Sequence, residues 1–276
     1  MAVLTFDTYG KTRVRLLQVR RDGARHGVTE MTVQVLFEGD LAESYTAGDN
    51  RKILPTDTMK NTVYALARRK PIASAEGFAC DLGRHFLSRL AHVHQVKVEI
   101  SETPWNRIAD HGSAFTHGGH ERRTAACVFT RSAHTVVSGL RDLQILKTAD
   151  SGFSGYLKDE YTTLPETTDR LLGTILDADW TCSSPVQDFN GLHAAIRSKL
   201  LDVFAAHHSL SVQHTLFAMA RSVIDRFAEV DQIHLVMPNT HCLLIDLSKF
   251  GLDNPNQIFM PVDEPSGLIE AKVSRD

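Results

Sequence analysis

Two segments of the chain, separated by about half its length, align with each other without gaps. Residues Arg89–Thr103 (RLAHVHQVKVEISET) match Arg226–Thr240 (RFAEVDQIHLVMPNT) at five identical positions, and the remaining pairs include conservative aliphatic exchanges. Such a repeat constrains the fold strongly, because each copy must form a similar unit of structure. We therefore predict two tandem modules, residues 1–119 and 120–276, with the hinge-like segment HGGHERR (His117–Arg123) at their boundary.

Hydrophobic patterns predict the same order of elements in both halves. Strict alternation at Met31–Phe37 and Val96–Ile100 is typical of half-buried antiparallel strands. Helical spacing of apolar residues gives two helices in each half, at Met59–Ala67, Phe78–Leu90, Leu192–Val203 and Val212–Phe227. Further strands are predicted at Arg13–Val19, Ala125–Thr130, Leu143–Thr148, Gln232–Met237 and Cys242–Leu247. Each module is thus predicted as α+β, with an antiparallel sheet formed by two strand pairs and both intervening helices on one face.

Composition and charge exclude several classes of function. The hydrophobic fraction is 42%, the formal net charge is −3, and no long basic run occurs, which disfavours nucleic-acid binding. No stretch approaches the ~18 apolar residues of a membrane-spanning helix, and the first residues, MAVLTFDTYGK, lack the pattern of a secretory signal. We therefore expect a cytoplasmic protein that binds neither nucleic acid nor membranes.

Cysteine and histidine spacing gives no sign of a metal site. The four cysteines lack CxxC spacing, which predicts reduced packing residues rather than zinc ligands or a disulfide framework; they are Cys80, Cys127, Cys182 and Cys242. Three histidines fall in the Gly-rich segment HGSAFTHGGH without acidic or cysteine partners at ligand spacing, which favours a solvated loop. The sequence also lacks GxGxxG after a strand, GxxxxGK[ST] and HExxH, so we expect neither metal nor organic cofactor.

Polar residues crowd before one predicted helix, in the segment Ser44–Arg69. Thr56 and Asp57 precede the first apolar positions of that helix, so one interpretation is a plain N-cap followed by a core-facing helix. The segment nevertheless supplies more hydrogen-bonding capacity than a cap requires, through Asp49, Asn50, Asp57, Lys60 and Asn61. That excess favours a chemical role, and the residues alone leave both interpretations open.

Six short motifs follow one another along nearly the whole chain. They are YGK (Tyr9–Lys11), SYTAGDN (Ser44–Asn50), TDTMKN (Thr56–Asn61), KDEYTTL (Lys158–Leu164), SVQ (Ser211–Gln213) and MPNTH (Met237–His241). In this order they resemble the urate oxidase (uricase) family. The resemblance implies two tunnelling-fold modules per chain, with chains pairing their sheets into a barrel and two barrels stacking into a homotetramer around a tunnel. Closing the barrel removes the open sheet edges of the single chain.

The resemblance also implies an activity and the residues that carry it. Urate oxidases convert urate, dioxygen and water to 5-hydroxyisourate and hydrogen peroxide in purine degradation, without a metal or organic cofactor. The catalytic residues of the family match Lys11, Thr56 and His241, which handle protons. Its substrate-binding residues match Thr56, Asp57, Phe153, Arg170, Val212, Gln213 and Asn239. In the family, Lys11, Thr56 and Asp57 come from one subunit and the others of the binding set from its neighbour, which places the sites at subunit interfaces.

The chain departs from the family pattern at Pro55, before the TD pair, and at Ser154, after Phe153. Its last residues, KVSRD, are not an SKL-type peroxisomal signal. Two alternatives stay open: another tunnelling-fold enzyme that acts on pterins or guanine nucleotides, and a non-catalytic urate-binding protein. Arg170 with Gln213 favours an anionic oxo-purine over a pterin. The presence of Lys11, Thr56 and His241 together favours catalysis.

Overall fold

The computed structural model describes residues 2–276, and of Asp263 it describes the backbone alone. The elements in chain order are β1 (Tyr9–Asp22), β2 (Arg25–Gly39), α1 (Ala42–Thr46), α2 (Thr56–Arg69), α3 (Ala75–Arg89), β3 (Val93–Thr103), β4 (Trp105–Arg107), β5 (Phe115–His117), β6 (Arg122–Thr130), β7 (His134–Lys147), β8 (Leu172–Cys182), α4 (Phe189–Ala206), α5 (Val212–Arg226), β9 (Val230–Val236), β10 (Asn239–Leu244), a 3-10 turn (Ser248–Phe250), β11 (Phe259–Gly267) and β12 (Glu270–Ser274). No helix among the described residues is both long enough and apolar enough to cross a bilayer.

The chain divides into two compact units. The first runs to Leu140 and includes Val186–Gly191, and the second comprises Arg141–Pro185 and Leu192–Asp276. A compact unit is defined by contacts within the folded chain, whereas a duplicated module is defined by descent. The module bounds 1–119 and 120–276 therefore stay a prediction.

The first unit is an antiparallel sheet covered on one face by two helices. Its strands lie in the order β1-β2-β3-β6, and matched registers place Val35 beside Val98 and Val98 beside Cys127. Alternate residues of β2 and β3 are buried, and they share one core with the apolar residues of α2 and α3. The predicted antiparallel sheet with both helices on one face is confirmed here.

The second unit repeats this antiparallel plan, but two strand positions are each filled by two short strands, β9 with β10 and β11 with β12. The strand β8 pairs with β10 at Gly173 and Thr174 and with β9 from Asp177 to Cys182. On their far sides, β10 pairs with β11 and β9 with β12, all antiparallel. Helix α5 packs against β9 and β12, and it buries Leu216, Met219 and Val223.

The two halves correspond residue by residue around their second long helix. Helices α3 and α5 are both 15 residues long, and each has a serine N-cap, Ser74 or Ser211, whose hydroxyl accepts the N–H three residues later. Each helix ends on the arginine that opens the sequence repeat, Arg89 or Arg226. The next strand then begins on the matched valine, four residues further on. The structural match confirms that the short sequence repeat reflects equivalent elements.

Six helices and strands are absent from the predicted set: α1, β4, β5, β8, β11 and β12. In β8 the buried positions include Gly173, Thr174 and Ala178, and these small or polar residues conceal the alternation. The strand β11 contains Pro261 and Pro265, which sequence rules exclude from central strands. It lies at the end of the strand order, where proline is tolerated.

Candidate active site

In the first unit, Lys11 lies beside an irregularity in β1. The pairing of β1 with β2 shifts between Lys11 and Val14, and Arg13 has a φ of 56°. A Cβ on Gly10 would lie 1.9 Å from the carbonyl oxygen of Val35, so only glycine allows the strands to approach this closely. Such bulges re-aim side chains and occur often next to active sites.

Thr56 is the first residue of α2 rather than its cap. Pro55 occupies the N-cap position, and no side chain there accepts a helix N–H, so the interpretation of Thr56 as an N-cap is wrong. The loop before Thr56 is tied to β1, because the backbone N–H of Leu54 donates to the Tyr9 hydroxyl at 2.9 Å. Tyr9 is only two residues from Lys11, so this bond couples the lysine strand to the start of α2.

Asp57 is an exposed carboxylate held by its neighbours one turn along α2. The Lys60 ammonium donates to one oxygen, and Asn61 Nδ2 donates to the other at 2.9 Å. The hydrogen bond from Lys60 is the main cause that holds the pKa of Asp57 below its ordinary value, and the positive charge of Lys11 adds to it. Lys60 and Asn61 therefore support Asp57. Asp49 is likewise paired locally, with Arg51.

In the second unit, backbone bonds around Ser151 join three segments of the site. The carbonyl of Ser151 accepts the N–H of Arg170 at 2.8 Å. Ser151 also forms a parallel bridge with Ser209, in which Gly152 N donates to Ser209 O at 2.8 Å. Phe153 follows two residues later, and Ser209 precedes the cap of α5. Ser151 and Ser209 are fully buried, and neither was predicted, because backbone bridges leave no signature in the residue types.

Arg170 and Phe153 contact each other through the guanidinium and the ring. Arg170 Cζ lies 5.2 Å from the centroid of Phe153, and the Tyr156 ring stacks on Phe153 at 4.7 Å with an interplanar angle of 14°. Burial lowers the pKa of Arg170, although an arginine of such high intrinsic pKa stays charged. Its Nε is buried and has no hydrogen-bond partner among the described residues. A buried cationic donor without a partner is a costly arrangement that an anionic ligand would relieve.

The first turn of α5 presents unpaired backbone donors. The Ser211 hydroxyl accepts from His214 N at 3.1 Å and the Ser211 carbonyl accepts from Thr215 N at 3.2 Å. The N–H groups of Val212 and Gln213 precede these and have no acceptor within the helix. The Val212 side chain is buried and Gln213 is exposed. A helix N-terminus with free N–H groups attracts negative charge.

A cavity of about 400 Å³ in the second unit collects four of the predicted residues. Phe153, Arg170, Asn239 and His241 line it, together with apolar residues that include Leu164, Leu243 and Phe259. Asn239 opens β10 between Thr174 of β8 and Gly267 of β11, which fixes its backbone on both sides. Val212 and Gln213 are not part of the lining.

The predicted residues therefore fall into two sets within the chain. Lys11, Thr56 and Asp57 belong to the first unit. The second unit holds Phe153, Arg170, Val212, Gln213, Asn239 and His241.

The predicted Gly-rich loop is in part a strand, because Phe115–His117 forms β5 and pairs with β4, but its three histidines are exposed. They are His111, His117 and His120. His117 interacts with nearby residues: its Nδ1 accepts a hydrogen bond from Gly119 N at 3.1 Å, and its ring contacts Trp105. Over residues 2–276 the structure contains no cluster of three or more histidine, cysteine, aspartate or glutamate side chains arranged to hold a metal ion.

Comparison with known proteins agrees over nearly the whole chain. The model of the family described as Uricase matches residues 7–128 and 136–270. The chain is 42% identical over 274 residues to the uricase of Arthrobacter globiformis, covering 99% of this chain and 90% of that protein. It is 39% identical over 282 residues to the uricase of Dictyostelium discoideum, covering 100% and 98%. The crystal structure of uricase from Arthrobacter globiformis matches with a TM-score of 0.97, covering 100% of this chain and 96% of that one. The chain therefore belongs to the uricase family of oxidoreductases.

Proposed function

We propose that this chain oxidises urate with dioxygen and water, and that it releases 5-hydroxyisourate and hydrogen peroxide. The observation that carries the proposal is the half-buried guanidinium of Arg170, which lies over Phe153 in a cavity and whose buried Nε has no partner among the described residues. Urate is flat and anionic, so it needs a planar cation and an aromatic surface. Arg170 and Phe153 supply both.

Substrate binding draws on the second-unit set. The guanidinium of Arg170 offers parallel N–H donors to two acceptors on the urate edge, a pattern that lysine cannot reproduce. The side-chain amide of Gln213 hydrogen-bonds to the same edge of urate. The backbone N–H of Val212, at the N-terminus of α5, donates to the anion. The Ser151–Ser209 bridge supports this role, because it ties the Phe153 segment to the residues that cap α5.

Proton transfer draws on Lys11, Thr56 and His241. Lys11 and Thr56 exchange the substrate proton, with the Thr56 hydroxyl as relay, and the imidazole of His241 can donate or accept in the same chain. The side chains of Asn239 and Thr56 line the polar space that holds dioxygen. Deprotonated urate supplies the electrons directly, so the protein's task is to position the reactants and stabilise charge. The location of Thr56 at the first position of α2, with its hydroxyl not used as a cap, is compatible with the relay.

The site is proposed to form between subunits of a homotetramer, with Lys11, Thr56 and Asp57 from one chain and the second-unit set from its neighbour. In the first unit, Lys11 lies on β1, the strand at one end of the strand order. Strand edges left unpaired in a single chain favour pairing with another copy. Turnover should therefore fall on dilution below the tetramer's dissociation range, and full activity per separated chain would exclude a shared site.

Neither a metal nor an organic cofactor is proposed to take part. The support is the family resemblance, together with a reaction in which the substrate is its own electron donor. The test follows urate absorbance and peroxide release by enzyme stripped of metal with a chelator. Equal rates before and after stripping are expected, and recovery of lost activity by a returned divalent metal would contradict the proposal.

A further inference from the structure

Two cysteine thiols meet inside the first unit, apart from the residues assigned to the site. Cys80 lies on α3 and Cys127 on β6, and their sulfur atoms are 3.4 Å apart. Cys127 is fully buried and Cys80 is partly exposed, and both are free thiols. Nothing in their sequence spacing predicts the contact, because it depends on how the helix docks on the sheet.

Close packing of α3 on β6 produces this contact. Gly83 follows Cys80 by one helical turn on the same face, and a Cβ there would lie 2.2 Å from the ring of Phe129. Phe129 follows Cys127 by two residues and therefore lies on the same face of β6. The missing side chain of Gly83 lets the helix approach, and the two sulfurs need to come only about 1.3 Å closer to reach bonding distance.

The two thiols are chemically unequal. A hydrogen bond from Cys127 holds the pKa of Cys80 below that of an ordinary thiol, and the positive charge of Arg84 acts in the same direction. The same hydrogen bond, together with burial, raises the pKa of Cys127. Cys80 is the thiol that solvent and peroxide can reach, because Cys127 is fully buried, and the lowered pKa of Cys80 favours its ionisation. A partly exposed thiolate beside a protonated thiol is the arrangement of an attacking and a resolving cysteine.

We propose that Cys80 and Cys127 form a peroxide-sensitive dithiol that closes to a disulfide between α3 and β6. The Cys80 thiolate attacks one oxygen of hydrogen peroxide, so that an S–O bond forms, the O–O bond breaks and hydroxide leaves. The sulfur of Cys127 then attacks the Cys80 sulfenic acid, so that the S–S bond forms and the S–O bond breaks. The two thiol protons end on the departing hydroxides. Two thiols are oxidised by two electrons, and one peroxide is reduced to two water molecules.

The source of the oxidant rests on the proposed function, since that reaction releases one hydrogen peroxide in each turnover. The chemistry of the dithiol itself does not depend on it. For this reason the test uses hydrogen peroxide added to the intact enzyme without urate, and turnover with urate is a separate arm.

The experiment counts free thiols in denaturant and identifies linked peptides by non-reducing digestion and mass spectrometry. The protein has four cysteines, and added peroxide should leave two free thiols and one linked peptide pair, Cys80 with Cys127, which dithiothreitol reopens. The double variant Cys182→Ser/Cys242→Ser is the matched control and should form the same link. In Cys127→Ala, Cys80 should accumulate as sulfenic or sulfinic acid. In Cys80→Ala, Cys127 should stay a thiol.

Three outcomes would overturn the proposal: no link after added peroxide, a link that involves Cys182 or Cys242 instead, or independent overoxidation of both cysteines in the wild-type enzyme. Each of these outcomes can be observed on the wild-type protein, so the test does not depend on whether every variant folds. In the second arm, turnover with urate should close the pair, and catalase should prevent closure. A pair that closes with added peroxide but not during turnover would count against peroxide release by the proposed reaction, and not against the dithiol.

Discussion

Arg131 and Arg275 make the same contact in the two halves of the chain. Arg131 donates to the carbonyl oxygens of Leu87, Leu90 and Val93, where α3 ends and β3 begins, at 2.6–2.8 Å. Arg275 donates to the carbonyls of Ile224, Phe227 and Val230, the equivalent positions where α5 ends and β9 begins. In each half, a cation that directly follows a strand donates to carbonyls at the end of the helix, which carry partial negative charge.

Replacement of either arginine should destabilise the fold. Arg131→Ala or Arg275→Ala removes charge-assisted hydrogen bonds to three carbonyls, and we expect a loss of about 1–2 kcal/mol in the free energy of unfolding. Thermal or denaturant unfolding measures this loss. Arg221→Ala is the matched control, because among the described residues Arg221 pairs with the exposed carboxylate of Asp225 on α5. An equal loss in all three variants would show that the carbonyl contacts add nothing.

Arg170 should be needed for substrate affinity and not for stability. In Arg170→Gln the half-buried cation disappears together with its buried Nε, which has no partner among the described residues, so the free energy of unfolding should stay level or rise. Urate binding should weaken by about 100-fold or more, since one charge-assisted bidentate contact is lost. Arg170→Lys keeps the charge but loses the planar fork, and it should also bind poorly. Isothermal titration with a non-reactive urate analogue measures affinity, and wild-type affinity in Arg170→Lys would contradict the proposed role.

Lys60 should determine the pH at which kcat/KM falls on the acid side, because it lowers the pKa of Asp57. Because its pKa is lowered in the folded protein, Asp57 contributes stabilisation that is complete above the ordinary aspartate pKa and is lost as pH falls through the lowered value. Lys60→Gln removes the largest cause of that lowering, so Asp57 should take up its proton at a higher pH. The acid limb of kcat/KM against pH should move upward in Lys60→Gln and stay in place in Lys60→Arg. If the acid limb of kcat/KM does not move in Lys60→Gln, the ionisation of Asp57 does not control the reaction.

Thr56 and Lys11 should affect turnover more than binding. Lys11→Met or Thr56→Ala removes a proton-transfer group, for which a loss of about 100-fold in kcat is expected. Affinity for a urate analogue should change far less. Thr58→Ala, an exposed position in the same helical turn, is the control and should leave kcat unchanged. If these variants lose analogue binding but keep their kcat, the first-unit residues bind substrate rather than transfer protons, which contradicts the proposed roles.

Much of this architecture follows from local patterns, and the remainder depends on contacts that no local pattern encodes. The spacing of apolar residues predicts α3 and α5, because helical periodicity is a short-range pattern. Alternation finds β2 and β3 but misses β8, whose buried face carries small and polar residues. The family resemblance indicates Phe153 and Arg170, yet the Ser151–Ser209 bridge next to them is formed by backbone atoms. The Cys80–Cys127 contact likewise depends on helix docking rather than on spacing.

The proposed site combines the first unit of one chain with the second unit of another, so mixing two inactive variants tests it directly. Lys11→Met disables the first-unit set, and Arg170→Gln disables the second-unit set. In a mixed pair, one site carries both substitutions and the other carries neither. Joint refolding or co-expression of the two variants should therefore restore about a quarter of wild-type turnover per chain under random pairing. Mixed oligomers that native mass spectrometry verifies but that stay inactive would contradict the shared site.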